Sequence, residues 1–156
     1  MKQVPSRWEK DKGKWAEGKV QPELEKLAAQ YAGFAWHRMP DAKAARGALS
    51  AQPADWITAM KYPDGTGTTV WLECKETAEE KRLPRAKVSQ FPKLRMFWMA
   101  SNSVRVIVYR SLYQDWIVFD ELDLFMQQEL PTSFPFAGKR SFETAAEAVH
   151  SIYLKD

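Results

Sequence analysis

The sequence predicts an α/β fold with a mixed central β-sheet flanked by α-helices. Short runs rich in β-branched and aromatic residues, at 55–60, 69–75, 104–109 and 116–119, are interleaved with segments of helical spacing. The resulting order is helix, strand, strand, helix, strand, strand, then helices. At 156 residues, 45% of them hydrophobic and 13% aromatic, the chain has the size of one domain with a substantial buried core.

Residues 1–12 are charged and form an N-terminal arm ahead of a single domain over 13–156, whether ordered or not. Gly13 to Glu17 open a helix. Leu24, Leu27, Ala28 and Tyr31 fall on one face of a helix over 22–31, with Pro22 in its first turn and Glu17 just before or within it. Residues 55–60 and 69–75 read as two antiparallel strands, because Pro63, Asp64, Gly65 and Gly67 between them are turn-formers.

In the second of these strands Val70, Leu72 and Cys74 share the face suited to a core. Glu73 and Lys75 share the other face with Trp71, so the charged pair is expected beside the core and not in it. Folding the hairpin back brings Asp55 towards Glu73. Two converging carboxylates repel, and a hard cation such as Mg²⁺ between them relieves the repulsion and carries water. An exposed, solvated strand face accounts for the same triplet equally well.

Ser89 is expected to cap a helix over 89–100, which places Pro92 harmlessly in the first turn and Gln90 at the N-terminus, near the metal. Residues 104–109 and 116–119 form two more strands, and Ser141 caps a last helix over 142–154 with Glu143 in its first turn. The lone Cys74 excludes an internal disulfide and belongs in the core. His37 and His150 have no ligand spacing, so a packing or surface role is expected of each.

No apolar stretch approaches a membrane span and the opening residues are too charged for a secretory signal, so the chain reads as intracellular and cytoplasmic, of cellular or viral origin. The net charge of +3 permits binding to a polyanion without demanding it. More telling is the cluster of Lys81, Arg82, Arg85, Lys87, Lys93 and Arg95 directly after the acidic strand, where cations would neutralise phosphates. The seven tryptophans, with Phe125, Met126, Phe134 and Phe136 forming an apolar surface near the C-terminus, point to a homodimer interface.

Pro53-Ala54-Asp55 followed by Glu73-Cys74-Lys75 resembles the motif of the PD-(D/E)xK nuclease superfamily. Further likeness, spanning about residues 13–120, is to its Holliday junction resolvases of the RecU type and the archaeal Hjc type. It rests on Glu17 in Gly13-Lys14-Trp15-Ala16-Glu17, on Arg38 leading through residues 41–51 into Asp55, and on Glu76-Thr77 followed by Ser89-Gln90-Phe91. The chain departs in having Cys74 at the middle of the triplet and Ser89 where a histidine often precedes the glutamine.

The resemblance implies a restriction-endonuclease-like core, a homodimer, and cleavage of a four-way DNA junction with Mg²⁺ or Mn²⁺. It casts Asp55, Glu73, the Cys74 backbone carbonyl and Glu17 as metal ligands, Lys75 as the residue that orients water or steadies phosphate charge, and Gln90 as support for that water. Arg38, Lys43, Arg46, Lys81, Arg82, Arg85 and Lys87 become candidate DNA contacts. Two alternatives stay open: a superfamily nuclease acting on another form of DNA, and a DNA-binding recombination accessory protein without the chemistry.

Overall fold

A computed structural model describes residues 5–40 and 52–154, with side chains described from Lys14 onward; Lys43 and Arg46 lie outside the described residues. The expected fold class is observed, a five-stranded mixed sheet with helices packed on it. The chain runs α1 (Pro5–Gln30), β1 (Phe34–Arg38), β2 (Trp56–Lys61), β3 (Gly67–Thr77), β4 (Arg82–Pro84), a 3-10 turn (Arg85–Lys87), α2 (Phe91–Met99), β5 (Ser103–Arg110), β6 (Asp115–Phe119), α3 (Glu121–Leu124), β7 (Ser133–Pro135) and α4 (Ala145–Tyr153). The sheet order is β1-β2-β3-β5-β6, and β4 pairs with β7 as a separate ribbon.

Helix α1 differs from the helix expected over 22–31. It is one continuous helix from Pro5, so residues 5–12 belong to it and Pro22 lies inside it, not in a first turn. A proline there forfeits its bond to the carbonyl four residues earlier, which belongs to Gly18. The helix is held by its buried stripe of Ala16, Val20, Leu24 and Leu27.

β2 and β3 form the expected hairpin, in register Trp56↔Leu72 to Lys61↔Gly67. In its turn the Asp64 carboxylate accepts from the Thr66 amide and hydroxyl at 2.9 and 2.6 Å, and Gly65 takes φ +90°. β3 is parallel to β5, and α2 makes the crossover between them. The N-terminus of α2 therefore lies at the end of the sheet where β3 finishes. β5 and β6 pair antiparallel through the expected turn, in which Gln114 takes φ +53°.

Both sheet faces are buried. Val70, Leu72 and Cys74 pack with α1 and α4, where the Tyr153 hydroxyl shares a 2.7 Å hydrogen bond with Thr58. Trp71, Val104, Val106 and Val108 pack with α2, roofed by Phe134 of β7. Two cores explain where the aromatics go. Trp56, Trp71 and Trp116 are buried, while Trp15, Trp36 and Trp98 pack at core margins. Phe125, Phe134 and Phe136 are buried too, so the apolar surface expected near the C-terminus is not there, and of that group Met126 alone is exposed.

Two caps also differ. Gln90, not Ser89, is the N-cap of α2, without a side-chain cap bond, and Pro92 does fall in its first turn. The last helix begins at Ala145 with Thr144 as N-cap, because Thr144 and Glu147 form a reciprocal capping box, whereas Phe142 bridges to Trp116.

Candidate active site

The last pair of the β2–β3 ladder, Trp56↔Leu72, leaves Asp55 one residue beyond it and level with Glu73. The two side chains come to the same face of the sheet, close enough that the charge of Glu73 acts on the Asp55 carboxyl. One oxygen of Asp55, Oδ2, accepts from the Cys74 amide at 2.8 Å. Within one strand residue the N–H and C=O point to the same side, so the Cys74 carbonyl also faces the edge where Asp55 lies. Lys75, two residues on from Glu73, reaches back to Glu73 Oε2 with its Nζ at 3.0 Å.

From the other side of the sheet, α1 supplies Glu17. Trp56 Nε1 donates to Gln21 Oε1 at 3.0 Å, which pins the helix over β2, and Glu17 lies one turn earlier on the same stripe. Arg38 at the end of β1 pairs in register with Trp56, stacks over its ring at 5.2 Å, and forms an ion pair with Glu17. The Met39 amide donates to the Asp55 carbonyl at 2.8 Å, which ties the strand end carrying Arg38 to the site.

Glu73 is 4% exposed, which corrects the expectation of a charged pair beside the core. A carboxylate so buried needs compensation, and Lys75 is the cation that gives it. Burial and the charge of Glu73 push the Asp55 carboxyl up to about 7, although the Cys74 amide opposes the shift. Burial and Asp55 also raise Glu17, against the hydrogen bond from Arg38. Burial acts to lower Lys75, but Glu73 overrides it and holds the ammonium above its ordinary value. Cys74 is buried as expected, and burial raises its thiol well above the usual range, so it is inert packing.

No protein-family model matches this chain, and no curated protein does. Similar among solved structures is Hjc of Archaeoglobus fulgidus, a Holliday junction resolvase from an archaeal hyperthermophile, at 20% identity, with 85% of this chain and 98% of that chain covered and a TM-score of 0.47.

The remaining expected site residues lie around the basic segment. Lys81, Arg82 and Lys87 are exposed, and Arg82 donates to Ser133 Oγ at 2.9 Å. Arg85 donates to the Pro131 carbonyl at 3.0 Å, so this segment is fixed by the β4–β7 ribbon, an element that three-residue strands conceal from sequence periodicity. The Gln90 amide donates to Ser89 Oγ at 3.4 Å. Both histidines are exposed.

Sequence reasoning missed Gln21, the residue that fixes α1 over β2; its spacing of four from Glu17 was the available signal. Among the described residues no three His, Cys, Asp or Glu side chains are grouped as a metal cage, and the convergence is of two carboxylates with Glu17 held by Arg38. The available donors, two carboxylates and a backbone carbonyl, are all oxygen, the chemistry that suits Mg²⁺ or Mn²⁺ and not a thiophilic ion. Among the described residues no helix is long and apolar enough to cross a membrane.

Proposed function

We propose that this chain is a structure-selective DNA endonuclease of the PD-(D/E)xK type. It nicks four-way junctions symmetrically by hydrolysis of phosphodiester bonds with Mg²⁺ or Mn²⁺. The observation that carries the reading is the convergence of half-buried Asp55 on buried Glu73, with Lys75 ion-paired to Glu73, three residues that also match the motif. Forcing two carboxylates together under cover costs stability, and a divalent cation is the ligand that turns the cost into binding.

Asp55, Glu73 and the Cys74 carbonyl would hold the ion, with Glu17 added when it leaves Arg38. A bound Mg²⁺ supplies Lewis-acid polarisation of the scissile phosphate and a water of lowered pKa. Lys75, kept protonated by Glu73, donates to a phosphate oxygen and stabilises the charge that grows as water oxygen bonds to phosphorus and the bridging P–O bond breaks. Arg38, once free of Glu17, is placed to pair with a neighbouring phosphate, and Gln90 supports the water. Lys81, Arg82, Arg85 and Lys87 would bind the backbone of the flanking arms. Two copies match the twofold symmetry of a four-way junction, and the nuclease acts on intracellular DNA.

The test is cleavage of a labelled immobile junction beside linear, nicked and flap DNA, with Mg²⁺ or EDTA. Paired symmetric nicks confined to the junction and lost in EDTA are expected. Equal cutting of linear duplex would make this a general nuclease, and tight binding without cutting would favour the accessory-protein reading.

A further inference from the structure

We infer that the cleft between α2, the segment 85–89 before it and residues Leu130 and Thr132 holds one unpaired nucleotide of the branched DNA; this rests on the nuclease reading above. The cleft has a volume of about 820 Å³, and its walls are of two kinds. Val88, Phe91, Met96 and Leu130 make an apolar side, while Arg85 and Arg95 bring two guanidinium groups. Among the described residues neither arginine has a carboxylate partner, and Arg95 Nε is buried with no acceptor at all.

A guanidinium N–H withdrawn from water and left without an acceptor is costly, and a phosphate oxygen gripped by the half-buried Arg95 offsets that cost. A phosphate alone would leave the apolar wall wet, and an apolar ligand alone would leave Arg95 unsatisfied. A nucleotide satisfies both, with phosphate on the arginines and base against Met96 and Leu130.

The cleft is preorganised. Arg85 is fixed by the Pro131 carbonyl, by its backbone amide on the Thr132 carbonyl at 2.8 Å, and by the Phe91 ring at 5.5 Å. α2 begins at the cleft with no side-chain cap and no acidic residue in its first turn, so its positive end is not neutralised there. Because α2 is the crossover between β3 and β5, this opening lies at the same end of the sheet as Lys75. Duplex arms offer stacked, paired bases only, whereas a branch point can present an unstacked one. The cleft is therefore a source of selectivity for branched over continuous DNA.

The experiment uses the full chain carrying Asp55→Asn, which is not expected to cut, and DNA with 2-aminopurine as the unpaired nucleotide beside a branch. Binding is expected to change the fluorescence of the probe. Adding Arg95→Met should abolish that change and weaken binding to branched DNA by about tenfold, with duplex affinity altered less than about twofold. Met96→Glu, at a side chain 68% exposed and so remote from folding, should do the same by putting a carboxylate on the wall where the base rests. Equal weakening on branched and duplex DNA, or an unaltered probe signal in both variants, would overturn the inference and leave the nuclease reading standing. Failure of the Asp55→Asn chain to bind any DNA would sink both.

Discussion

Asp55→Asn and Glu73→Gln are each expected to lower metal-dependent cleavage by at least about 10³-fold while leaving the Kd for an uncut junction within about twofold. Both changes keep shape and remove charge. With Asp55→Asn the amide oxygen can still accept from the Cys74 N–H, and with Glu73→Gln an oxygen is still offered to Lys75, so the hairpin end is preserved. What is lost is the pair of anionic oxygens that would grip the cation, and a neutral amide is a poor substitute for a carboxylate on a hard dication. Binding persists because the DNA contacts proposed for Arg82, Arg85 and Lys87 lie outside the pair. Cleavage by either variant at the wild-type rate would remove the site assignment.

The metal-free protein should lose stability as pH rises from about 4 to 7. The Asp55 carboxyl ionises near 3.8 in the unfolded chain and is held up to about 7 in the fold. Below that interval it is protonated in both states. Within it the folded state retains a proton that the unfolded state has released, so each upward step in pH favours unfolding, and above about 7 the loss is complete. The expected penalty is on the order of 3 kcal/mol, or a fall in Tm of roughly 10 °C between pH 4.5 and 8 in EDTA. Asp55→Asn should flatten this dependence and be the more stable chain at pH 8. A wild-type Tm that rises steadily over the same interval would show that the carboxyl is not held protonated.

The strands that position Asp55 and Glu73 were legible because their turn carries Pro63, Asp64 and Gly65 and because β3 is long enough for its alternation to be read. β1 was not, since within Phe34–Arg38 only Phe34 is buried and the strand is held by its ladder to β2. β4 and β7 are three residues each and too short for any period. The burial of Glu73 was missed for a related reason. Alternation showed which face it shares with Trp71, but only packing of α2, β4 and β7 over that face tells that it is covered. Helix α1 was cut short on the rule that proline starts a helix, which the stripe from Ala16 to Leu27 outweighs. The pairing of Glu17 with Arg38 joins residues 21 apart and has no local signature.

Calorimetric titration of the purified chain with Mg²⁺ at pH 6.5, in two buffers of different ionisation enthalpy, tests the carboxylate pair most directly. Saturable binding is expected, with release of a substantial fraction of one proton per chain that fades by pH 8.5 as Asp55 ionises in the free protein, and with binding lost in Asp55→Asn. Binding of equal strength in Asp55→Asn, or no saturable binding by the wild-type chain at millimolar Mg²⁺, would contradict a metal site at Asp55 and Glu73.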